Sequence, residues 1–134
     1  MRHVDKWELN PFRLATVRAY AKEYPYWIKK RAYMSSTTRS QRLDEPQGNA
    51  KGAGRPTENL AIKRAQLSKK IDMIEKIVRE VDPFIYKYLL KGVTEGTTYE
   101  KLQSSGMTCS RNTYYSRRRE FYYKLSQKMR LLGV

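Results

Sequence analysis

TCSRNTYYSRRREFYYKL, residues 108–125, combines positive charge with aromatic rings. Five of its eighteen residues are Arg or Lys, five are aromatic, and Glu120 is its one acid. A solvated helix face does not require these rings, and a core helix does not require three consecutive arginines. The stretch therefore predicts a helix that packs on one side and presents a basic surface on the other.

Ser110 is a suitable N-cap for this helix, and Cys109 and Tyr114 occupy the two positions of a hydrophobic staple. Cys109 is accordingly interpreted as a small buried apolar residue. From this start, helical spacing places one set of side chains on a packing stripe and its border. The set is Tyr114, Phe121, Leu125 and Leu132, bordered by Arg118, Lys128 and Met129.

The opposite stripe carries residue types that suit base recognition. Arg can bond guanine through two donors, and Asn can pair with adenine in the same way. The predicted base-reading residues are Arg111, Asn112, Tyr115, Ser116 and Arg119. Flanking side chains would meet phosphates, as would groups at the start of the preceding helix. The predicted phosphate contacts are Thr98, Tyr99, Thr108, Arg117, Arg118 and Lys124.

A short helix precedes the basic one. Thr97 and Glu100 have the spacing of a capping box, and Gly106 turns the chain after a helix that ends near Ser105. Tyr99 and Leu102 are expected to face inward. A short helix, a turn and a long basic helix together predict a helix-turn-helix, whose last helix lies in the major groove.

Two further helices are predicted upstream. Thr57 should cap a long helix, and Asp82 with Pro83 should start a second one that ends at Gly92. Its apolar residues would be Phe84, Ile85, Tyr88 and Leu89. The long helix has a heptad-like seam, formed by Leu60, Leu67, Ile71, Ile74, Val78 and Val81. That seam fits either a core helix or a homodimer through residues 60–81.

The N-terminal part begins with Asn10 and Pro11, a cap followed by proline at the first helical position. Pro25 should interrupt that helix, and residues 26–34 fit a second short helix. Residues 35–56 are rich in Ser, Thr, Gly and Pro, which is typical of a flexible linker. The predicted fold is all-α, with an N-terminal helical unit (1–34), a linker (35–56) and a helix-turn-helix domain (57–134).

The charge narrows the range of partners. The chain of 134 residues has 28 basic and 13 acidic residues, a net charge of +15, and residues 99–134 alone hold eight basic and two acidic ones. Such an excess favours a polyanion, with nucleic acid ahead of an acidic membrane surface or an acidic protein.

The remaining composition gives no indication of catalysis or metal binding. One cysteine and one histidine suit neither a disulfide nor a zinc site, so we expect no metal and no cofactor. No acid cluster or His/Arg constellation accompanies the tyrosines, so no enzymatic activity is expected. No stretch approaches the length of a membrane span, and the N-terminus lacks a signal peptide's apolar run. A cytoplasmic location is expected.

Two short motifs, Gly96-Thr97-Thr98-Tyr99 and Ser110-Arg111-Asn112-Thr113, resemble the promoter-recognition helix-turn-helix of bacterial sigma factors. The wider layout resembles ArpU/RinA-type regulators of phage late genes, through Tyr24-Pro25-Tyr26-Trp27 and Thr57-Glu58-Asn59-Leu60-Ala61. This resemblance implies a transcriptional activator of phage or prophage late genes that acts in the cytoplasm of a bacterial host cell, binds double-stranded DNA and could contact RNA polymerase. Two alternatives remain: a small terminase-like packaging subunit, and a factor that binds RNA polymerase through the sigma-like unit.

Overall fold

The computed structural model describes residues 6–44 and 54–134, and these residues form helices without any strand. The all-α prediction is confirmed. The helices are α1 (Pro11–Lys22), α2 (Tyr24–Asp44), α3 (Gly54–Val81), α4 (Tyr86–Glu95), α5 (Tyr99–Ser104) and α6 (Arg111–Leu131).

The described residues divide into two compact units. The main unit comprises the residues up to Glu23 together with Ile74–Val134, and the hairpin unit lies within Tyr24–Met73. This division differs from the predicted boundaries at 34 and 57, because α1 contacts α4 and α6 and so belongs with the C-terminal helices. Helix α3 contributes its first part to the hairpin unit and its last residues to the main unit.

The predicted linker is largely helical where the structure describes it. Residues 35–44 continue α2, and residues 54–56 open α3, so the second helix is longer than the predicted 26–34. Thr57 already lies inside α3, so the prediction that it caps this helix was wrong. Residues 45–53 of the predicted linker lie outside the described residues. Polar composition is a weak guide here, because Ser and Thr cost a helix only about 0.5 kcal/mol each relative to Ala.

The hairpin unit is an antiparallel pair of helices. Three contacts join them: Lys70 Nζ lies 5.4 Å from the Trp27 ring centre, Arg31 Nη1 donates to Ser68 Oγ at 3.2 Å, and Arg64 Nη1 donates to Ser35 Oγ at 3.2 Å. As the residue number rises along α2 it falls along α3, which defines the antiparallel order.

The heptad-like seam is buried within a single chain. Its five positions from Leu67 to Val81 are each less than a tenth exposed, while Leu60 is half-buried. The structure therefore agrees with the core-helix interpretation. A homodimer through residues 60–81 would lack the apolar stripe on which that alternative depended.

Helix α1 begins as predicted. The Asn10 side chain accepts a hydrogen bond from the Arg13 backbone N–H at 2.8 Å, and Pro11 follows at the first helical position. The helix buries Val17, Tyr20 and Ala21. This apolar side is what α1 brings to its contacts with α4 and α6.

Helix α4 starts and ends later than predicted. The Asp82 carboxylate accepts from the backbone N–H groups of Phe84 and Ile85, but residues 83–85 form a turn and the helix starts at Tyr86. Phe84 is 92% exposed instead of facing the core. The helix passes through Gly92 and ends at Gly96, whose φ of 72° is the left-handed conformation typical of a glycine C-cap.

Candidate nucleic-acid interface

Helix α5 is capped one residue later than predicted. Thr98, not Thr97, is the N-cap, and its hydroxyl accepts from the Lys101 N–H at 3.3 Å. Tyr99 and Leu102 are buried, as predicted. Because Thr98 is exposed at the helix start, its position is compatible with the predicted phosphate contact.

The turn between α5 and α6 depends on Gly106 and Tyr99. Gly106 has a φ of 118°, and a Cβ there would lie 2.9 Å from the Tyr88 hydroxyl, so other residues would be strained. Tyr99 Oη donates to the Cys109 carbonyl at 2.6 Å. Tyr99 was predicted as a phosphate donor, but its ring is buried and its proton is engaged in the turn. Thr108, beside this carbonyl, is exposed.

Helix α6 starts at the predicted cap. Ser110 Oγ accepts from the Thr113 N–H at 3.1 Å, and the first two residues of α6, Arg111 and Asn112, are exposed to solvent. Cys109 is half-buried and not fully buried as expected. Burial, followed by the nearby Asp82 carboxylate, raises the pKa of the Cys109 thiol, so it stays protonated at neutral pH.

The predicted base-reading residues divide by exposure. Arg111, Asn112 and Arg119 are exposed, whereas Tyr115 and Ser116 are half-buried. Asn112 and Arg119 are seven residues apart, which places them on one face about 10 Å apart along the helix axis. That face begins at the capped N-terminus of α6.

Arg111 is held by α5. Its Nη2 lies 2.6 Å from Glu100 Oε1, and its guanidinium carbon lies 4.9 Å from the Tyr99 ring centre. The hydrogen bond from Arg111 lowers the pKa of Glu100, so this carboxylate is ionised throughout the neutral range. Glu100 thus places a negative charge beside the predicted DNA surface, a role that the capping-box interpretation did not include.

Tyr115 lies within an aromatic cluster at the α5–α6 corner. Its ring centre is 5.3 Å from that of Tyr114 and 6.5 Å from that of Tyr99. The Arg118 guanidinium carbon lies 4.9 Å from the Tyr115 ring centre. These contacts fix the Tyr115 ring, while part of it remains accessible for the predicted base contact.

Two predicted phosphate-binding cations have carboxylate partners within the chain. Arg117 Nε lies 3.2 Å from Asp82 Oδ2, and Lys124 Nζ lies 2.9 Å from Glu120 Oε2. Asp82 also caps the turn before α4, so Arg117 connects α6 to that turn. Phosphate binding by these cations would therefore compete with the existing ion pairs.

In the second half of α6, one face is packed inside the protein instead of being exposed to solvent. Phe121, Tyr122, Leu125, Ser126 and Met129 are buried, whereas Leu132, predicted in the packing stripe, follows the helix and is 59% exposed.

Arg13 on α1 connects α1 to the end of the chain. It donates from Nε to Ser126 Oγ at 2.8 Å, from Nη2 to the Ser126 carbonyl at 3.0 Å, and from Nη1 to the Val134 carbonyl at 2.9 Å. The sequence pattern does not single out Arg13, because no local pattern indicates a partner more than a hundred residues away.

Trp7 was also missed. Its ring meets Tyr123 at a centre distance of 5.4 Å in an edge-on arrangement, and Lys124 Nζ lies 5.8 Å from its centre. Tyr123 and Lys124 belong to the part of α6 beyond Arg119. The N-terminal segment therefore covers α6 just past the predicted base-reading residues.

Gly92 allows close packing between α4 and α6. A Cβ at Gly92 would overlap the Tyr114 hydroxyl, so only glycine leaves room for this tyrosine. Among the described residues, Tyr114 Oη is the one buried side-chain polar atom without a hydrogen-bond partner. Burial raises the pKa of Tyr114 to about 12.

The described residues contain no group of three potential metal ligands, and none of their helices is long and apolar enough to cross a membrane. Comparisons with protein-family models, with curated proteins and with solved structures found no match. The geometry of the α5–α6 surface is therefore the structural basis for assigning it a function.

Proposed function

We propose that this protein is a sequence-specific DNA-binding regulator that reads duplex DNA with the first half of α6. The observation that carries the proposal is the exposed set Arg111, Asn112 and Arg119, located in the first half of α6, which Ser110 caps. A capped helix that follows a short helix and a tight turn is the arrangement that inserts its N-terminal residues into the major groove.

The spacing of these residues supports base reading over several base pairs. Asn112 and Arg119 are about 10 Å apart along the axis, which corresponds to about three steps of roughly 3.4 Å on DNA. Asn suits adenine and Arg suits guanine, each through paired hydrogen bonds. In this proposal Asn112 and Arg119 recognise the base sequence, and Thr98 and Thr108 contact phosphates.

Arg111 would also contact DNA, after exchanging its partner Glu100 for a group on the DNA. Its ion pair with Glu100 is solvent-exposed, with side chains 55% and 62% exposed, and such pairs are weak in water. A guanine offers two hydrogen-bond acceptors and a phosphate offers a negative charge, so either can replace the Glu100 carboxylate. Arg111 therefore changes partner on DNA at little cost, whereas Arg117 keeps its link to the less exposed Asp82.

The expected role in transcription of phage genes follows from the sequence resemblance. The sigma-like motifs and the ArpU/RinA-type layout support a role as an activator of phage or prophage late genes. RNA polymerase is then the expected protein partner. The charge of +15 supports a polyanionic partner in any of these roles.

The test is selection from a random duplex library at about physiological salt, followed by sequencing of the bound fraction. We expect a recurring motif that includes a guanine and an adenine. Equal retention of all sequences, or retention of none, would contradict sequence-specific reading.

A further inference from the structure

Helix α2 carries a second basic and aromatic surface, in the hairpin unit. Tyr26 and Tyr33 are 60% and 71% exposed and lie two helical turns apart. Lys29 and Lys30 lie exposed between them, and Lys30 Nζ is 5.7 Å from the Tyr26 ring centre. These four residues are called the α2 stripe below.

A different side of α2, about 100° around the helix axis from the two tyrosines, accounts for its folding without the α2 stripe. Trp27 and Met34 are buried there, and Trp27 contacts Lys70 of α3. The tyrosines of the α2 stripe are therefore not needed to build the hairpin. Two large rings held in water on one face indicate a surface that meets a partner.

The charge around the α2 stripe differs from that around α6. Residues 24–35 contain three basic residues and no acid. On α6, by contrast, Arg111, Arg117 and Lys124 each have a carboxylate within 3.2 Å. A solvated helix face usually interleaves both signs of charge, whereas a one-sign face with donors suits an anionic partner.

The residue types indicate what kind of anion fits. Lysines act as point charges toward phosphate, and tyrosine hydroxyls donate to phosphate oxygens while their rings pack on sugars. Of the side chains that read base edges, the α2 stripe contains only lysine, which acts as a flexible point charge and lacks the fixed fork of Arg and the paired donor and acceptor of Asn and Gln. A regular row of phosphates therefore fits better than a particular base sequence.

We infer that the α2 stripe is a second DNA-binding surface, which contacts the phosphate backbone of duplex DNA without reading its sequence. The choice of duplex DNA rests on the proposed function, but the α2 stripe would act on any base sequence. Its contribution should therefore be measurable on a duplex that lacks the selected motif.

The experiment measures the affinity of the full chain for a motif-free duplex as a function of salt. The variant is Lys29→Gln/Lys30→Gln. The matched control is Lys63→Gln/Lys69→Gln, which removes the same charge from exposed positions on α3 of the same unit. Thermal unfolding of both variants establishes that the hairpin remains folded.

With about 0.9 per phosphate contact, losing two contacts should lower the slope of log affinity against log salt by about 1.8. Between about 50 and 200 mM salt, wild type should then lose about twelvefold more affinity than the α2-stripe variant. The control should retain the wild-type slope. Equal slopes in the two variants would overturn the inference.

Two further readouts separate this inference from the proposed function. The α2-stripe variant should select the same duplex motif as wild type, because it changes no base-reading residue. If wild type selects no motif but the α2-stripe variant still lowers the salt slope, the base-reading proposal fails and the α2 stripe stands. If Tyr33→Ala weakens binding to single strands but not to duplex, assignment to duplex DNA is overturned.

Discussion

The two halves of α6 use similar residues for opposite purposes. Both contain tyrosines and basic side chains, yet Asn112 and Arg119 in the first half are exposed, while Phe121 and Leu125 in the second half are fully buried. The difference arises from what each half meets. The first half contacts α5 and its turn, α4 through Tyr114, and the turn before α4 through Arg117. The second half also lies against α1.

The contacts that hold each half of α6 in place show the same contrast. Arg13 donates two hydrogen bonds to Ser126 in the second half and one to the Val134 carbonyl, and Trp7 packs against Tyr123. Arg111 instead has an exposed ion pair with Glu100. A packed half provides a rigid base, and a half with exchangeable polar contacts can bind a ligand at little structural cost.

The largest effect should come from the packed half. Phe121 is fully buried, so Phe121→Ala should lower the free energy of unfolding by about 3–5 kcal/mol through lost burial and a cavity. Asn112→Ala in the exposed half should stay within about 0.5 kcal/mol of wild type. Urea unfolding measures both. Similar losses in the two variants would remove the contrast between the halves.

The next effect concerns the contact between α4 and α6. Gly92→Ala should cost about 1–3 kcal/mol, because its Cβ overlaps the Tyr114 hydroxyl. Tyr114→Phe removes that hydroxyl, which has no partner, and should therefore not be destabilising. The double variant should recover most of the Gly92→Ala loss in a double-mutant cycle. Strict additivity would show that the two residues do not meet as described.

Alkaline pH should weaken the same contact. The pKa of Tyr114 is raised to about 12 in the folded protein, above the usual 10.0. The unfolded chain then releases this proton more readily, so its contribution to stability is complete below pH 10 and is lost as pH rises toward 12. Tyr114→Phe should reduce the loss of stability over that window, measured by urea unfolding at each pH, while Tyr20 and Tyr122, whose pKa values burial also raises, keep contributing to it. An unchanged pH profile would place the Tyr114 hydroxyl in water.

The smallest effect on stability should come from the exposed pair. Glu100→Gln should leave the unfolding curve unchanged, because the pair is solvent-exposed. Affinity for DNA should rise, since Arg111 is released and a carboxylate next to phosphates is removed. Isotherms on the selected duplex measure this. A loss of affinity would instead show that Glu100 orients Arg111 for binding.

The sequence predicts local features of this fold well. Asn10 and Ser110 are caps as expected, and Gly106 has the positive φ of a turn. Each of these signals is contained within a few residues. The same kind of signal placed the caps of α3 and α5 wrongly at Thr57 and Thr97.

Gly92 shows why other predictions failed. A glycine near the expected end of a helix suggests a stop, but the real stop is Gly96, four residues later. The reason for Gly92 is Tyr114, which lies on another helix. Such packing is not visible in a local pattern.

The packing stripe of α6 was predicted only in part for a similar reason. Tyr114, Phe121 and Leu125 are buried as predicted, but the buried face of the second half also includes Tyr122 and Ser126. Helix α1 and its Arg13 determine that face, and the sequence of α6 alone gives no indication of either.

We propose that the first half of α6 reads DNA and that the second half supports it. Arg119 and Arg130 provide a matched pair, since both are exposed and eleven residues place them on nearly the same helix face. The decisive measurement is the random-duplex selection repeated with Arg119→Ala and with Arg130→Ala. We predict that Arg119→Ala loses preference at one position of the motif, with a cost of about 1–3 kcal/mol, while Arg130→Ala keeps the wild-type motif. An unchanged motif in Arg119→Ala, or an equal change in both variants, would contradict the account.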